Sequence, residues 1–338
     1  MALSHTEQDM LESEEICSHF DFDITKELAR RIGTKRIVFS GMGSSLIFPG
    51  KQAKHRALLY NLANRVEVYF SSDLLQYTDF ADTFLFLCSN SGNTKEVILL
   101  LEHARDRGAM CVGITAVPDS PLAKQCDEVI ILSGGFEKGV AATKSVIEQA
   151  LICDSLVFHL AKNQGHQIDF RELQKALADT GNKIFSHINL ALEENLIDTF
   201  AQAPQYFLVG LDTGIAEEIA LKASELIRKP SFFYPDTQIL HGPAEAMKGG
   251  LIIIFEPSRF APYLPNFHEL SKKTSSTLFG IDQSSPIPGI NIVINPMFPN
   301  YCLLAAGWGL LRNIGNSLAI DFDHPEKITK ISIPYTKD

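Results

Sequence analysis

The chain has 338 residues, of which 45% are apolar and 21% are charged, and its formal net charge is −10. An acidic chain without a basic run is a poor match to proteins that bind nucleic acid or anionic membranes, so neither partner is expected. Six cysteines, at positions 17, 88, 111, 126, 153 and 302, form no C-x-x-C pair. This spacing indicates a reduced, cytoplasmic protein with no disulfide framework and no zinc site.

Ten short β-rich runs alternate with helical segments along the chain. Those of the first half lie at 36–41, 66–70, 83–88, 111–115 and 128–132, and those of the second half lie at 206–210, 231–235, 251–255, 277–281 and 290–294. Most are continuous apolar runs, which are typical of strands buried on both faces. The alternation predicts an α/β fold with parallel sheets. Two sets of five strands in the same order predict a duplication.

The positions of these elements predict four segments. Residues 1–32 are expected to form a helical N-terminal arm, residues 33–165 a first domain, residues 166–204 a helical linker, and residues 205–338 a second domain with a C-terminal tail. The N-terminus is polar and acidic, unlike a signal peptide. The longest apolar runs are too short to span a bilayer.

Two loops at predicted strand ends are rich in glycine and hydroxyl groups, at residues 41–45 and 89–94. Each leads into a predicted helix, whose N-terminus offers free N–H groups and a positive dipole end. Parallel sheets bind ligands at this edge, and a phosphate monoester fits such loops. The run GMGSSL is a partial dinucleotide fingerprint because Leu46 replaces the third glycine. N-capping accounts for one or two of the hydroxyls in each loop.

Charged residues of a helix in the second half suggest acid–base chemistry. Glu218, Lys222 and Glu225 are spaced i, i+4 and i+7, which places them on one helix face. A solvated stripe of alternating charge is the alternative. His241 follows in a loop, where functional residues concentrate. A carboxylate and an imidazole can move protons at neutral pH, and a lysine can form an imine or stabilise an oxyanion. Ring opening and C1/C2 proton transfer on a sugar phosphate need such groups.

These motifs together resemble the SIS (sugar isomerase) family, and most of all the double-SIS isomerase half of glucosamine-6-phosphate synthase and its stand-alone relatives. The resemblance extends over nearly the whole chain after residue 33. The matching motifs are the first phosphate loop at 43–45, S-x-S-G-x-T at 89–94, G-V-A-[ST]-T-K at 139–144, E-x-x-x-K-x-x-E at 218–225 and H-G-P at 241–243. A tail of the form D-x-P-x-x-x-x-K matches Asp323, Pro325 and Lys330.

The resemblance implies a fold and a role for each matching residue. The fold is two tandem SIS subdomains, each a five-stranded parallel sheet flanked by helices in a flavodoxin-like or Rossmann-like three-layer sandwich. Glu225 would move the proton between C1 and C2, His241 would open the sugar ring and Lys222 would assist the proton transfer. Lys330 is the candidate imine lysine. The residues expected to bind the substrate and its phosphate are Ser44, Ser45, Ser89, Asn90, Ser91, Thr94 and, through its backbone, Val140.

The resemblance also implies the assembly and the reaction. In synthase-like dimers the histidine comes from the neighbouring subunit, so a homodimer with active sites near its interface is expected, without metal or organic cofactor. The synthase carries a glutaminase domain, which a chain opening MALSH is expected to lack. The leading hypothesis is isomerisation of a hexose or amino-hexose 6-phosphate, with possible coupling to deamination. The alternatives are deglycation of 6-phospho-fructosyl amines, a non-catalytic sugar-phosphate sensor and, third, a dinucleotide-dependent enzyme.

Overall fold

The computed structural model describes residues 3–331 and 333–336, and contacts within it divide the chain into two compact units. The first unit consists of residues 15–175 and the described residues after 325. The second unit consists of residues 3–14 and 176–325. These units are defined by contacts and not by function or independent folding, so they do not test the predicted division into an arm, two domains and a linker. That division stays a prediction. The outermost residues of the predicted segments 1–32 and 205–338 lie outside the described ranges.

The first unit is built on one parallel sheet. Its strands are β1 (Arg36–Gly41), β2 (Val66–Phe70), β3 (Thr83–Cys88), β4 (Met110–Thr115) and β5 (Glu128–Ile131), in the order β2-β1-β3-β4-β5. The helices along this part of the chain are α1 (His5–His19), α2 (Lys26–Ile32), α3 (Ile47–Leu59), α4 (Ser71–Leu74), α5 (Lys95–Arg105), α6 (Pro121–Gln125) and α7 (Lys144–Asn163).

The second unit repeats this topology. Its strands are β6 (Tyr206–Gly210), β7 (Ser231–Pro235), β8 (Leu251–Phe255), β9 (Thr277–Asp282) and β10 (Gly289–Asn291). The helices along this part of the chain are α8 (Phe170–Ile188), α9 (Glu194–Gln202), α10 (Ile215–Leu226), α11 (Leu264–Thr274) and α12 (Pro299–Ser317). From β7, the strand order is β7-β6-β8-β9-β10, and all pairs are parallel. The predicted fold class, two five-stranded parallel sheets flanked by helices, is confirmed.

The apolar runs form buried strands for the reason that the sequence suggested. Every residue of β3, β6 and β8 is buried, because helices cover both faces of such sheets. The last strand is shorter than the predicted run at 290–294. Within the described part of the chain, β10 pairs only with β9, which ends at Asp282. Beyond that point Val293 leaves the sheet, is exposed, and offers its carbonyl to His187 Nε2 at 2.8 Å.

Helix α5 is held against the first sheet by its apolar face. Ile98 and Leu101 of this helix belong to the same buried cluster as Val38 of β1 and Leu85 of β3. This packing fixes the start of α5 directly after the loop at 89–94. Short 3₁₀ segments lie at Phe22–Thr25, Gly43–Ser45, Gln238–His241, Pro243–Ala246 and Pro257–Tyr263. Among the helices of the described ranges, none combines the length and apolar character needed to cross a membrane.

Candidate functional site

The two hydroxyl-rich loops of the first unit begin side by side. The last residues of β1 and β3, Gly41 and Cys88, are paired in register. A Cβ on residue 41 would lie 2.7 Å from the Cys88 carbonyl oxygen, so glycine permits this close approach. A sheet of order 2-1-3-4-5 has its topological switch point between these two strands, where such sheets bind ligands. The loops at 41–45 and 89–94 therefore start at the predicted edge.

The loop after β3 brings three predicted phosphate-binding hydroxyls together. Ser89 Oγ and Thr94 Oγ1 share a hydrogen bond of 2.9 Å. The N–H of Gly92 donates to Ser89 Oγ at 3.1 Å, and the N–H of Asn93 donates to Ser91 Oγ at 3.2 Å. The hydroxyls thus fold the loop back on itself at the start of α5. Ser91 and Thr94 remain partly exposed, so they can reach a bound anion.

Gly92 is required by this loop for two reasons. Its φ is +60°, which side chains other than glycine rarely adopt. A Cβ at this position would also lie 2.1 Å from Ser120 Oγ. In the neighbouring loop, Ser44 is buried and Ser45 is partly exposed within the 3₁₀ segment Gly43–Ser45. Of these two predicted ligands, Ser45 has the more accessible side chain.

The C-terminal tail lies against the loop at 89–94. Thr94 and Pro334 form an antiparallel bridge. The N–H of Lys95 donates to the Ile333 carbonyl at 3.1 Å, and the N–H of Tyr335 donates to the Asn93 carbonyl at 2.9 Å. The sequence analysis expected free N–H groups at the start of this helix, and for Lys95 that expectation is wrong. The tail already satisfies that donor, so any anion bound here would have to be held by other backbone and hydroxyl groups.

Lys330 is the tail lysine that points into the first unit. Its ammonium donates to the Gly139 carbonyl at 2.7 Å and to Glu137 Oε2 at 2.9 Å. It also lies 5.8 Å from the centre of the Phe136 ring. Lys327, the other candidate by spacing, is exposed. The structure therefore places Lys330 at the matched motif 139–144, where Val140 is partly exposed.

Glu137 is a charged residue of this region that the sequence analysis missed. Its side chain is fully buried and also accepts a hydrogen bond of 3.3 Å from Asn90 Nδ2. Asn90 Oδ1 is buried without a hydrogen-bond partner among the described residues. Within the run FEKG, Glu137 looks like a solvated loop charge. Its position three residues before Val140 was the available signal.

The charged helix face in the second unit is buried, so the alternative of a solvated stripe is wrong. Glu218 and Lys222 are fully buried on α10, and Glu225 is partly exposed. Lys222 Nζ donates to Glu225 Oε2 at 2.5 Å and lies 3.4 Å from Glu218 Oε1. Burying charge is expensive even when it is paired, and apolar residues of similar size often pack as stably. The cost suggests that this group serves chemistry.

His241 ends the 3₁₀ segment Gln238–His241, which follows β7. Its side chain is exposed and forms no hydrogen bond or ion pair with any other residue of the described ranges. The second unit therefore brings Lys222 and Glu225 into contact but leaves His241 outside that pair. An exposed imidazole is accessible to a ligand or to a second subunit.

Two thiols of the first unit, buried Cys111 and partly buried Cys126, are unsuited to nucleophilic chemistry. Burial raises the pKa of the Cys111 thiol to about 12, and burial raises the pKa of the Cys126 thiol further. The thiolate is the reactive form, so these groups are inert at neutral pH. All six cysteines are free.

Comparison with known proteins gives a family match over part of the chain. The sequence model described as "SIS domain" matches residues 32–158. The glutamine–fructose-6-phosphate aminotransferase [isomerizing] of Clostridium perfringens is 26% identical over 243 residues, which cover 69% of this chain and 39% of that protein. The chain thus spans about two fifths of that curated relative.

Two solved structures share the fold over almost the whole chain. The C-terminal domain of glucosamine-fructose-6-phosphate aminotransferase from Francisella tularensis has a TM-score of 0.81 at 19% identity, covering 96% of this chain and 99% of that chain. Glucosamine-6-phosphate deaminase from Thermotoga maritima has a TM-score of 0.75 at 20% identity, covering 98% and 100%. Identities this low establish the fold alone. The family match covers residues 32–158.

Proposed function

We propose that this protein is a phosphosugar isomerase that acts on a hexose or amino-hexose 6-phosphate. The observation that carries the proposal is the buried group on α10, in which Lys222 contacts Glu225 beside fully buried Glu218. Such a group holds a carboxylate and an ammonium in fixed positions, as proton transfer requires. The names of the relatives, an isomerizing aminotransferase and a deaminase of amino-sugar phosphates, support the same substrate class.

The phosphate is proposed to bind the loops at 41–45 and 89–94 of the first unit. Hydroxyls and backbone N–H groups at a helix start bind anions without a large positive charge, which suits a chain with a net charge of −10. The proposed ligands are the side chains of Ser44, Ser45, Ser89, Asn90, Ser91 and Thr94, with Val140 binding the sugar through its backbone. These contacts hold the end of the substrate that does not react.

The proton transfers are assigned to the second unit. His241 is proposed to give a proton to the ring oxygen while the anomeric hydroxyl gives its proton to water, which opens the sugar. Glu225 then removes the proton from one carbon of the C1/C2 pair and returns it to the other through an enediol. Lys222 stabilises the negative charge that develops on the oxygen. The net reaction moves one proton from C1 to C2 and one from the C1 hydroxyl to the C2 oxygen, which exchanges ketose for aldose.

Lys330 is proposed as the imine-forming residue. Its neutral amine would add to the C2 carbonyl of an open ketose phosphate, and water would leave to give the imine. Ammonia can then displace the lysine from C2, or in the reverse direction the lysine displaces ammonia and water hydrolyses the lysine imine. This route therefore serves the amino-hexose substrate, while ketose–aldose exchange of a plain hexose runs through the enediol. The imine withdraws electrons from C1 and makes its proton easier to remove. If no imine forms, the ammonium can still stabilise the enediol oxygen. We further propose a homodimer, because a neighbouring subunit could then supply the exposed His241.

The proposal is tested by a substrate panel. Pure protein is incubated with fructose 6-phosphate, glucosamine 6-phosphate and 6-phospho-fructosyl amino acids, and ketose–aldose exchange and free amine are measured. Exchange on the first sugar supports the isomerase, and amine release from the second adds deaminase activity. Amine release from the third alone favours the deglycase. Thermal stabilisation by these ligands without turnover would favour the sensor and would contradict the proposal.

A further inference from the structure

The carboxylate of Glu137 accepts hydrogen bonds from three segments of the first unit. Its two oxygens accept hydrogen bonds from different groups, and Ser145 donates to both. Oε1 accepts hydrogen bonds from the N–H groups of Thr143 and Ser145, at 2.6 and 3.1 Å. Oε2 accepts hydrogen bonds from Lys330 Nζ at 2.9 Å, from Ser145 Oγ at 3.0 Å and from Asn90 Nδ2 at 3.3 Å.

Oε1 of Glu137 stabilises the start of α7. Thr143 and Ser145 lie at the start of α7, where N–H groups have no partner within the helix. A carboxylate satisfies those donors and matches the positive end of the helix dipole. Nearby, the buried carboxylate of Glu148 also accepts hydrogen bonds from backbone N–H groups, those of Ser133 and Gly134. Capping of α7 alone does not explain why Glu137 also forms an ion pair with Lys330.

The second oxygen faces two residues that belong to the proposed site. Lys330 is the proposed imine lysine, and Asn90 belongs to the phosphate loop. The ammonium of Lys330 has its other contacts in the same short loop, at the Gly139 carbonyl and the Phe136 ring. Glu137 provides the negatively charged partner among these contacts. It therefore sets where the amine of the tail stands relative to the phosphate loop.

We propose that Glu137 is a positioning residue that holds the Lys330 ammonium beside a sugar phosphate bound at the loop of Asn90, where Lys330 reacts as the neutral amine once the ammonium has given a proton to water. This inference rests on the proposed function for the role of Lys330. It adds that the amine is stored against a buried carboxylate, from which it must be released to attack a carbonyl. Glu137 acts through Lys330 and does not itself touch the substrate.

Glu137→Gln is the selective variant. The glutamine oxygen can still accept hydrogen bonds from the N–H groups at the start of α7. Asn90 can turn its amide so that Oδ1, which has no partner among the described residues, accepts a hydrogen bond from the new amide group. The variant loses the attraction between the carboxylate at position 137 and the Lys330 ammonium. Glu137→Asp keeps the charge on a shorter side chain, and Glu148→Gln removes a buried carboxylate that caps a different loop.

The first measurement requires no turnover. The protein is labelled with a trace of acetic anhydride, and mass spectrometry gives the reactivity of Lys330 relative to exposed Lys327 in the same tail. The ratio should rise about tenfold in Glu137→Gln, as expected for loss of one charge-assisted hydrogen bond. It should stay at the wild-type value in Glu148→Gln and rise less in Glu137→Asp. An unchanged ratio in Glu137→Gln would overturn the inference.

The second measurement tests the consequence for chemistry. Fructose 6-phosphate is added with sodium borohydride, which delivers hydride to an imine carbon and leaves the sugar on Lys330 as a secondary amine. Trapping and kcat should both fall at least about tenfold in Glu137→Gln, with KM nearly unchanged, and Glu137→Asp should recover part of both. A change in KM alone would overturn the positioning role. If the wild type neither turns over nor is trapped, the proposed function fails, while the labelling ratio still decides where Glu137 holds Lys330.

Discussion

Lys222 and Glu225 are joined by a hydrogen bond of 2.5 Å across one turn of α10, and the lysine is fully buried. A surface pair of this spacing would be screened by water, whereas this ammonium also lies beside the buried carboxylate of Glu218. Removing the cation leaves two carboxylates close together in a site of low polarity. The pair is therefore sensitive to substitution in both stability and chemistry.

Lys222→Met should destabilise the protein strongly. Breaking a buried pair by removing one partner costs about 3–5 kcal/mol, because it leaves a buried charge without compensation. The free energy of unfolding is measured by urea titration. Lys273→Met is the matched control. Lys273 and Glu269 have the same i, i+4 spacing as Lys222 and Glu218, but their pair is exposed. This variant should therefore cost less than about 1 kcal/mol. Equal effects of the two variants would show that the burial of Lys222 carries no energetic consequence.

Gly92→Ala should disrupt the phosphate loop more than its backbone angle alone explains. Gly33 has a similar φ of +55° with no atom within 4 Å of an added Cβ, so Gly33→Ala should cost only the strain of its backbone angles, about 1–3 kcal/mol. Gly92→Ala adds a Cβ at 2.1 Å from Ser120 Oγ and should cost clearly more. Thermal denaturation of the two variants decides the matter, and a Gly92→Ala protein as stable as Gly33→Ala would mean that the loop shifts without strain.

Thr94→Val should weaken anion binding while the fold is kept. The variant has the same shape but loses the hydroxyl that meets Ser89 Oγ at 2.9 Å. A hydrogen bond to a charged group accounts for about tenfold in affinity, so the dissociation constant for inorganic phosphate, measured by thermal shift, should rise by about that factor. Thr199→Val on α9 removes an exposed helical hydroxyl and serves as the control. Unchanged phosphate binding in Thr94→Val would remove this threonine from the proposed site.

The protein should lose stability in mild acid because of two buried histidines. Burial lowers the pKa of His159, against a hydrogen bond to the Phe22 carbonyl, and burial likewise lowers the pKa of His187. The unfolded chain, with a histidine pKa of about 6.5, then binds protons more readily than the folded chain. This contribution is complete above that pH and is lost as the pH falls below it.

Urea midpoints at pH 7.5 and 5.5 measure this acid effect. The fall in midpoint should be smaller when His159 and His187 are both replaced by glutamine than in the wild type, even though the double variant is less stable at pH 7.5. His268→Gln changes an exposed histidine and should leave the fall unchanged. A double variant with the full wild-type fall would assign the acid sensitivity to other groups.

The sheets could be predicted from the sequence because strands buried on both faces leave a direct signal. The runs at 36–41, 66–70 and 83–88 coincide with β1, β2 and β3. The end of β10 could not be predicted, because an apolar run does not reveal where its only partner strand stops. Ile292 and Val293 are apolar like the residues before them, yet β9 has already ended at Asp282.

The site was predictable where chemistry leaves a local pattern and unpredictable where contacts join distant segments. The hydroxyls at 89–94 and the helix spacing of Lys222 and Glu225 are local patterns. The contact of Glu137 with Lys330 joins residues 193 positions apart, and the bond from Lys95 to the tail is also long-range. The sequence does not distinguish an exposed glutamate from a buried one such as Glu137, because its burial depends on contacts with segments that are distant along the chain.

The most direct test of the proposed function follows hydrogen on the reacting carbons. Fructose 6-phosphate is incubated with the protein in D₂O, and carbon-bound deuterium at C1 and in the aldose product at C2 is measured by NMR. The wild type should introduce deuterium, and Glu225→Gln should slow the incorporation at least about hundredfold, as expected for loss of a general base. Glu217→Gln on the same helix should behave like the wild type. Incorporation at the same rate in Glu225→Gln, or no faster than without protein, would contradict the proposal.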